Sequence, residues 1–161
     1  MCEPRQGPGF HLLLHSTHLL DDRLRDLLKP LGIHAGQARV IHALSRMGEV
    51  SQRQLASEFN ISQASMSQMT KRLRMNGFVE QRDDPHDRRS GIVSLTAKGT
   101  QLLDEILAAW NEVDQVIIDA IGTENAEQLF RQSLALRNAL GGVAPGAKGA
   151  KPSRTEDDRT H

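Results

Sequence analysis

A mainly α-helical domain carrying one small β-hairpin is the fold class this sequence predicts, and three observations predict it. Aromatic residues are only 3% of the 161 residues, with four Phe, one Trp and no Tyr, so Leu, Ile, Val, Met and Ala must fill the interior, as helices allow. Apolar residues recur at spacings of threes, fours and sevens over long stretches near both ends of the chain. Between those stretches, FVEQR and GIVSLT have β-type composition and are separated by the turn-rich, charged run DDPHDRRS.

The elements follow in order. Residues 1–9 (MCEPRQGPG) and 141–161 are Gly, Pro and charge with little to bury, which predicts a disordered leader and tail around one domain over 10–140. From Phe10 to Leu28, the residues Leu13, Leu20, Leu24 and Leu27, continued by Leu31, form one helical stripe that ends near Pro30 and Gly32. A second helix, Ala35 to Met47, turns Val40, Ile41 and Leu44 inward and stops at Gly48.

Ser51 followed by Gln54 is a capping-box signature, in which each side chain satisfies a free backbone N–H, and it predicts a short helix Gln52 to Phe59. Asn60 sits where a tight turn needs a left-handed residue, and Ser62 caps the next helix, which runs to about Asn76 and closes on Gly77. After the hairpin, Thr96 caps a helix striped by Leu103, Ile106, Trp110, Val113, Ile117 and Ile121. A final helix follows Gly122, from about Glu124 to Leu140. The predicted order is α-α-α-α-β-β-α-α, with a lobe over about 35–96 between outer helices at about 10–31 and 97–140.

Two short helices joined by a tight turn, the second exposing polar residues, form a DNA-binding helix-turn-helix. In QLASEFNISQASMSQMTKRL, the residues Leu55, Ala56, Phe59, Ile61, Met66, Met69 and Leu73 supply the buried face. The opposite face carries Gln63, Ser65, Ser67, Gln68, Lys71 and Arg72, with Ser62 and Ala64 at its start, and suits base edges early and phosphates later. Any amphipathic helix has a polar face, so the adjoining hairpin decides the reading. A loop bearing Arg88 and Arg89 directly after a recognition helix is placed to reach the neighbouring minor groove, which makes the unit a winged helix-turn-helix. Asp83, Asp84 and Asp87 lie beside those arginines and dilute the patch.

Lys plus Arg equals Asp plus Glu, 20 each, so the net charge is zero and any nucleic-acid footprint is local. The single cysteine, Cys2, excludes an internal disulfide framework and a thiolate metal cage. Apolar runs such as Leu12 to Leu14 fall far short of a membrane span, and no signal-peptide pattern opens the chain, so the expected location is cytoplasmic. No phosphate-binding Gly-rich loop, HExxH or GxSxG is present, which argues against an enzyme, and no cofactor is expected.

The run VSQRQLASEFNISQASMSQMTKRLRMNGFVEQRDDPHDRRSGIVSLTAKG resembles the multiple-antibiotic-resistance regulator (MarR) family, most specifically from Gln52 to Gly99. The resemblance implies a transcriptional regulator, expected to be a repressor. It would act as a triangular homodimer joined by its first and last two helices, placing one recognition helix per subunit in the major groove of a pseudo-palindromic operator duplex. Matched onto the wing segment DPHDRR, it makes Asp87 and Arg89 a structural ion pair and Arg88 the minor-groove residue; Gln63 to Arg72 become the groove-facing part of the recognition helix. Asn60 departs mildly from the Gly common in such turns. Dimerisation also follows from the outer helices themselves, whose apolar stripes exceed what one small lobe can cover.

Relatives of this kind often hold a small-molecule effector between the dimer helices and the DNA-binding lobe, and three features are candidate sensors. His11, His15 and His18, with Asp22 a turn on, share one face of the first helix. Three ligands on one straight helix seldom converge on one ion, so solvent-facing or interface histidines are the stronger reading and no metal is assigned. Cys2 in a leader without structured surroundings reads as an incidental thiol rather than a redox switch. Trp110 lies on an apolar stripe, where a lone Trp is more often core than pocket wall. The alternative to DNA readout is a winged-helix module that binds a protein partner; a steep fall of affinity with salt marks the former and not the latter.

Overall fold

The computed structural model describes residues 7–145. Cys2, most of the expected leader and most of the expected tail lie outside the described residues. The helices are α1 Gly9–Leu28, α2 Ala35–Met47, α3 Gln52–Glu58, α4 Gln63–Met75, α5 Ala97–Ile121 and α6 Thr123–Ala139; the strands are β1 Val50–Ser51, β2 Val79–Asp83 and β3 Gly91–Leu95. Gly9, placed in the leader by composition, already begins α1.

The hairpin is part of a three-stranded antiparallel sheet of order β1-β3-β2, with Val50 opposite Val93 and Gln81 opposite Val93 on the other side. The third strand, β1, was not anticipated: two residues carry no period to read. A single 3-10 turn, Lys29–Leu31, follows α1 and takes Leu31 off the α-helical stripe, with Gly32 closing it in the left-handed region.

The caps show how local chemistry sets these bounds. Asn60 is the one non-glycine with positive φ among the described residues, at 51°, and it turns the chain between α3 and α4. Ser62 accepts from the Ser65 N–H and Thr96 from the Gly99 N–H, each starting its helix. Ser51 accepts from the Gln54 N–H, but the reciprocal half of the predicted box is not formed there. The reciprocal box occurs instead at the start of α2, where His34 Nδ1 accepts from the Gln37 N–H and Gln37 Oε1 from the His34 N–H.

The core joins the outer helices to the lobe. Leu28, Ile41, Leu44, Leu55, Met66, Leu73, Val93 and Ile106 are fully buried, while α1, α2 and α6 all pack on α5 and α3 packs on α4. On α5 the fully buried residues are Gly99, Leu102, Ile106 and Ala109, so the packing seam is displaced from the predicted stripe; Leu103, Trp110, Val113 and Ile117 are half-buried and Ile121 is exposed. Leu13, placed on the predicted apolar stripe, is 53% exposed, as are its neighbours Phe10, Leu12 and Leu14 to similar or greater degree.

Candidate nucleic-acid interface

Helix α4 is anchored by one face and free on the other. Met66, Thr70 and Leu73 are buried against the lobe, Met69 is half-buried, and Ser62, Gln63, Ala64, Ser65, Ser67, Gln68, Lys71 and Arg72 are all exposed. Spacing of three and four explains both sets at once. Ile61, assigned to the buried face, is instead 36% exposed, because it lies in the extended turn after Asn60 rather than on either helix. Thr70 was missed: a hydroxyl residue in a polar-looking run gives no signal of burial, yet its Oγ1 donates back to the Met66 carbonyl at 3.0 Å.

At its C-terminal end α4 is tied to α5. Lys98 Nζ donates to the Asn76 carbonyl at 2.8 Å and stands over the Phe78 ring at 4.9 Å. Thr96 Oγ1 donates to the Gly77 carbonyl at 2.6 Å. The recognition helix, the first wing strand and the long outer helix therefore meet at one fixed junction.

The wing loop, 84–90, turns its aspartates inward. Asp84 Oδ1 accepts from the His86 N–H at 2.9 Å and Asp87 Oδ1 from the Arg89 N–H at 3.0 Å, two side-chain-to-backbone turns of the kind Asp favours. The Asp87–Arg89 ion pair implied by family resemblance is not formed; Asp87 stabilises the loop through the Arg89 main chain instead. Among the described residues no carboxylate pairs with the guanidinium of Arg88 or Arg89, and both side chains are exposed. The acids therefore shape the wing without neutralising its two outward cations.

Of the candidate sensors, His11, His15 and His18 are exposed along α1, where His18 approaches Asp22 at 3.6 Å; no group of three metal-ligating residues is brought together among the described residues. Trp110 stacks edge-on to His42, ring centroids 5.0 Å apart, and borders a shallow groove of about 260 Å³ with Leu20, Leu24 and Val113. A larger open cleft, about 580 Å³, lies between the end of α1 and α4 and is lined by Arg25, Lys29, His34, Gln37 and Arg72 among others. Partial burial, and secondarily the Arg72 guanidinium, lower the His34 pKa. Neutral His34 is what the α2 cap needs, because Nδ1 must accept. The stability this lends is complete above the ordinary histidine pKa and is lost as pH falls through the lowered folded value.

A sequence profile described as the MarR family matches residues 31–90, which run from the end of the 3-10 turn through the wing loop. Over a longer span, the chain is 26% identical across 127 residues to the uncharacterized HTH-type transcriptional regulator YwoH of Bacillus subtilis, covering 77% of this chain and 92% of that one. Over this segment the chain is similar to the MarR family. The relatives it matches are transcriptional regulators by name, and the winged helix-turn-helix described above is an element by which such proteins bind DNA. Another relative, the HTH-type transcriptional repressor NicR of Pseudomonas putida, is 32% identical over 61% of this chain and 60% of its own length. In fold, a MarR crystal structure superposes with a TM-score of 0.73 at 23% identity, covering 88% of this chain and 95% of that one. A mutant MarR from Escherichia coli complexed with operator DNA superposes with a TM-score of 0.68 at 21% identity, covering 81% of this chain and 91% of that one.

Proposed function

We propose that this chain is a MarR-family regulator, a cytoplasmic repressor that grips a pseudo-palindromic operator as a homodimer, with α4 in the major groove and the wing in the adjacent minor groove. The observation that carries the reading is the continuity of exposed donors from Gln63, Ser65, Ser67 and Gln68 through Lys71 and Arg72, beside a wing whose Arg88 and Arg89 guanidinium groups pair with no carboxylate among the described residues. Amide and hydroxyl groups address base edges; guanidinium and ammonium groups address phosphates and the minor groove. Repression is supported by the name of the relative NicR, and operator binding by the operator-bound MarR of the same fold.

Homodimerisation is supported by the apolar side chains left in water at two places. Phe10, Leu12, Leu13, Leu14 and Leu19 lie on α1, and Leu134 and Leu136 lie on α6 with Leu140 just beyond it. Contiguous apolar surface of this kind belongs against another surface, and a second copy supplies one. A small-molecule effector fits the scheme through the cleft between α1 and α4, where a ligand would touch an outer helix and the recognition helix together and so shift the spacing of the two lobes.

The test is footprinting of the protein on duplex from its own upstream region, with the mass of the complex measured in parallel. Two protected half-sites about 34 Å apart, roughly one duplex turn, and two chains per duplex are the expected result. One chain on a single half-site would overturn the dimeric reading.

A further inference from the structure

The wing is held to the recognition helix by a side-chain relay built around Gln52, the first residue of α3. Gln52 Nε2 donates to Thr70 Oγ1 on α4 at 2.8 Å and to Gln81 Oε1 on β2 at 3.0 Å, which uses both hydrogens of its amide. Arg74 on α4 donates to the same Gln81 oxygen at 3.3 Å. Thr70 is fully buried, so one end of the relay is fixed in the core. Three elements that contact one another only in part are thereby tied through one amide.

Gly91 shows that the relay has been given room. A Cβ there would overlap the Gln81 side chain, Cγ and Cδ lying 2.7 Å from its position, and Gly91 has no left-handed backbone that would call for glycine. What glycine supplies at this site is space for Gln81 to cross β3 toward Gln52. On the alternate register of β2, Arg82 pairs with Glu49 at 2.7 Å, so consecutive residues pin the strand to different parts of the lobe. The exposed ion pair contributes little alone, whereas the amide relay ends on a buried hydroxyl.

We infer that Gln52 and Gln81 are positioning residues for DNA recognition: they fix the angle of the wing against α4, so that Arg88 reaches the minor groove while α4 occupies the major groove. The inference rests on the DNA reading above. Neither residue need touch DNA. Its consequence is energetic coupling, because a wing whose angle is free loses entropy on binding and delivers less of its contact.

The experiment is a double-mutant cycle on labelled duplex from the protein's own upstream region, comparing wild type, Gln52→Leu, Arg88→Ala and the double variant, each with a thermal melt. Arg88→Ala is expected to weaken wild-type binding about tenfold, and to weaken Gln52→Leu by less than about threefold, with the melting temperature of Gln52→Leu close to wild type. Gly91→Ala, which displaces Gln81 at little cost to the fold, is expected to replace Gln52→Leu in the cycle with the same outcome, and serves if Gln52→Leu does not fold. A full tenfold loss in both backgrounds would overturn the inference alone. An Arg88→Ala variant that binds like the wild type would remove the wing reading and the inference together.

Discussion

Gly99→Ala is expected to destabilise the protein by about 1 to 3 kcal/mol, although the same exchange in an ordinary helix interior stabilises by roughly 1 kcal/mol. The reversal comes from where α5 begins. Gly99 is buried in its first turn, and a Cβ there would run into the Phe78 carbonyl oxygen, with the Phe78 carbonyl carbon at 3.0 Å and the Leu95 side chain at 3.2 Å. That carbonyl already accepts the Thr96 N–H at 3.1 Å, so it cannot retreat without releasing the start of the helix. The obstacle is backbone, which yields far less readily than the tip of a side chain. Thermal melting checks this: a loss of several degrees is expected, at roughly 2 to 4 °C per kcal/mol for a chain of this size. Unchanged or raised stability would mean that α5 and the wing meet less closely than described.

A larger loss, about 2 to 5 kcal/mol, is expected for Leu73→Ala. Leu73 is fully buried on the inner face of α4, and its carbonyl accepts the Phe78 N–H at 3.0 Å where the chain leaves the helix for β2. Removing its side chain leaves a cavity under the part of the helix that carries Lys71 and Arg72 outward. The proper contrast is Lys71→Ala, one face away and exposed, which should leave the melting temperature within error and weaken DNA binding. If Leu73→Ala melted like Lys71→Ala, the assignment of the two faces of α4 would be wrong.

What was legible beforehand was local. The limits of α2, the left-handed turn at Asn60, the caps Ser62 and Thr96, and the exposed row from Gln63 to Arg72 each follow from residues a few positions apart. What was not legible depends on distant partners or on very short elements. β1 exists because Val50 and Ser51 pair with Val93 and Ile92, about forty residues on, and two residues have no periodicity. The cap at His34 was missed because histidine is an uncommon N-cap, and the reciprocal box was placed at Ser51 because Ser and Gln have the usual spacing there.

The same reason explains the rest. The stripe read on α5 mixed residues that face the lobe with residues at its flanks, since spacing alone does not say which side meets the core. Leu13 and Ile121 lie on correct helices yet face water in the single chain, which the proposed dimer would account for. In the wing, an Asp followed two positions later by Arg fits either an ion pair or a turn, and here the Arg89 main chain takes the carboxylate. The Gln52 relay, whose members stand 18 and 29 positions apart, leaves no pattern to find.

The most direct test of DNA readout by α4 and the wing is the affinity of the full-length protein for duplex from its own upstream region, beside a random duplex of equal length, at about 50 and 200 mM salt. The predicted result is preferential binding to the upstream duplex that weakens by at least about tenfold at the higher salt. Equal affinity for both duplexes with no dependence on salt would contradict it.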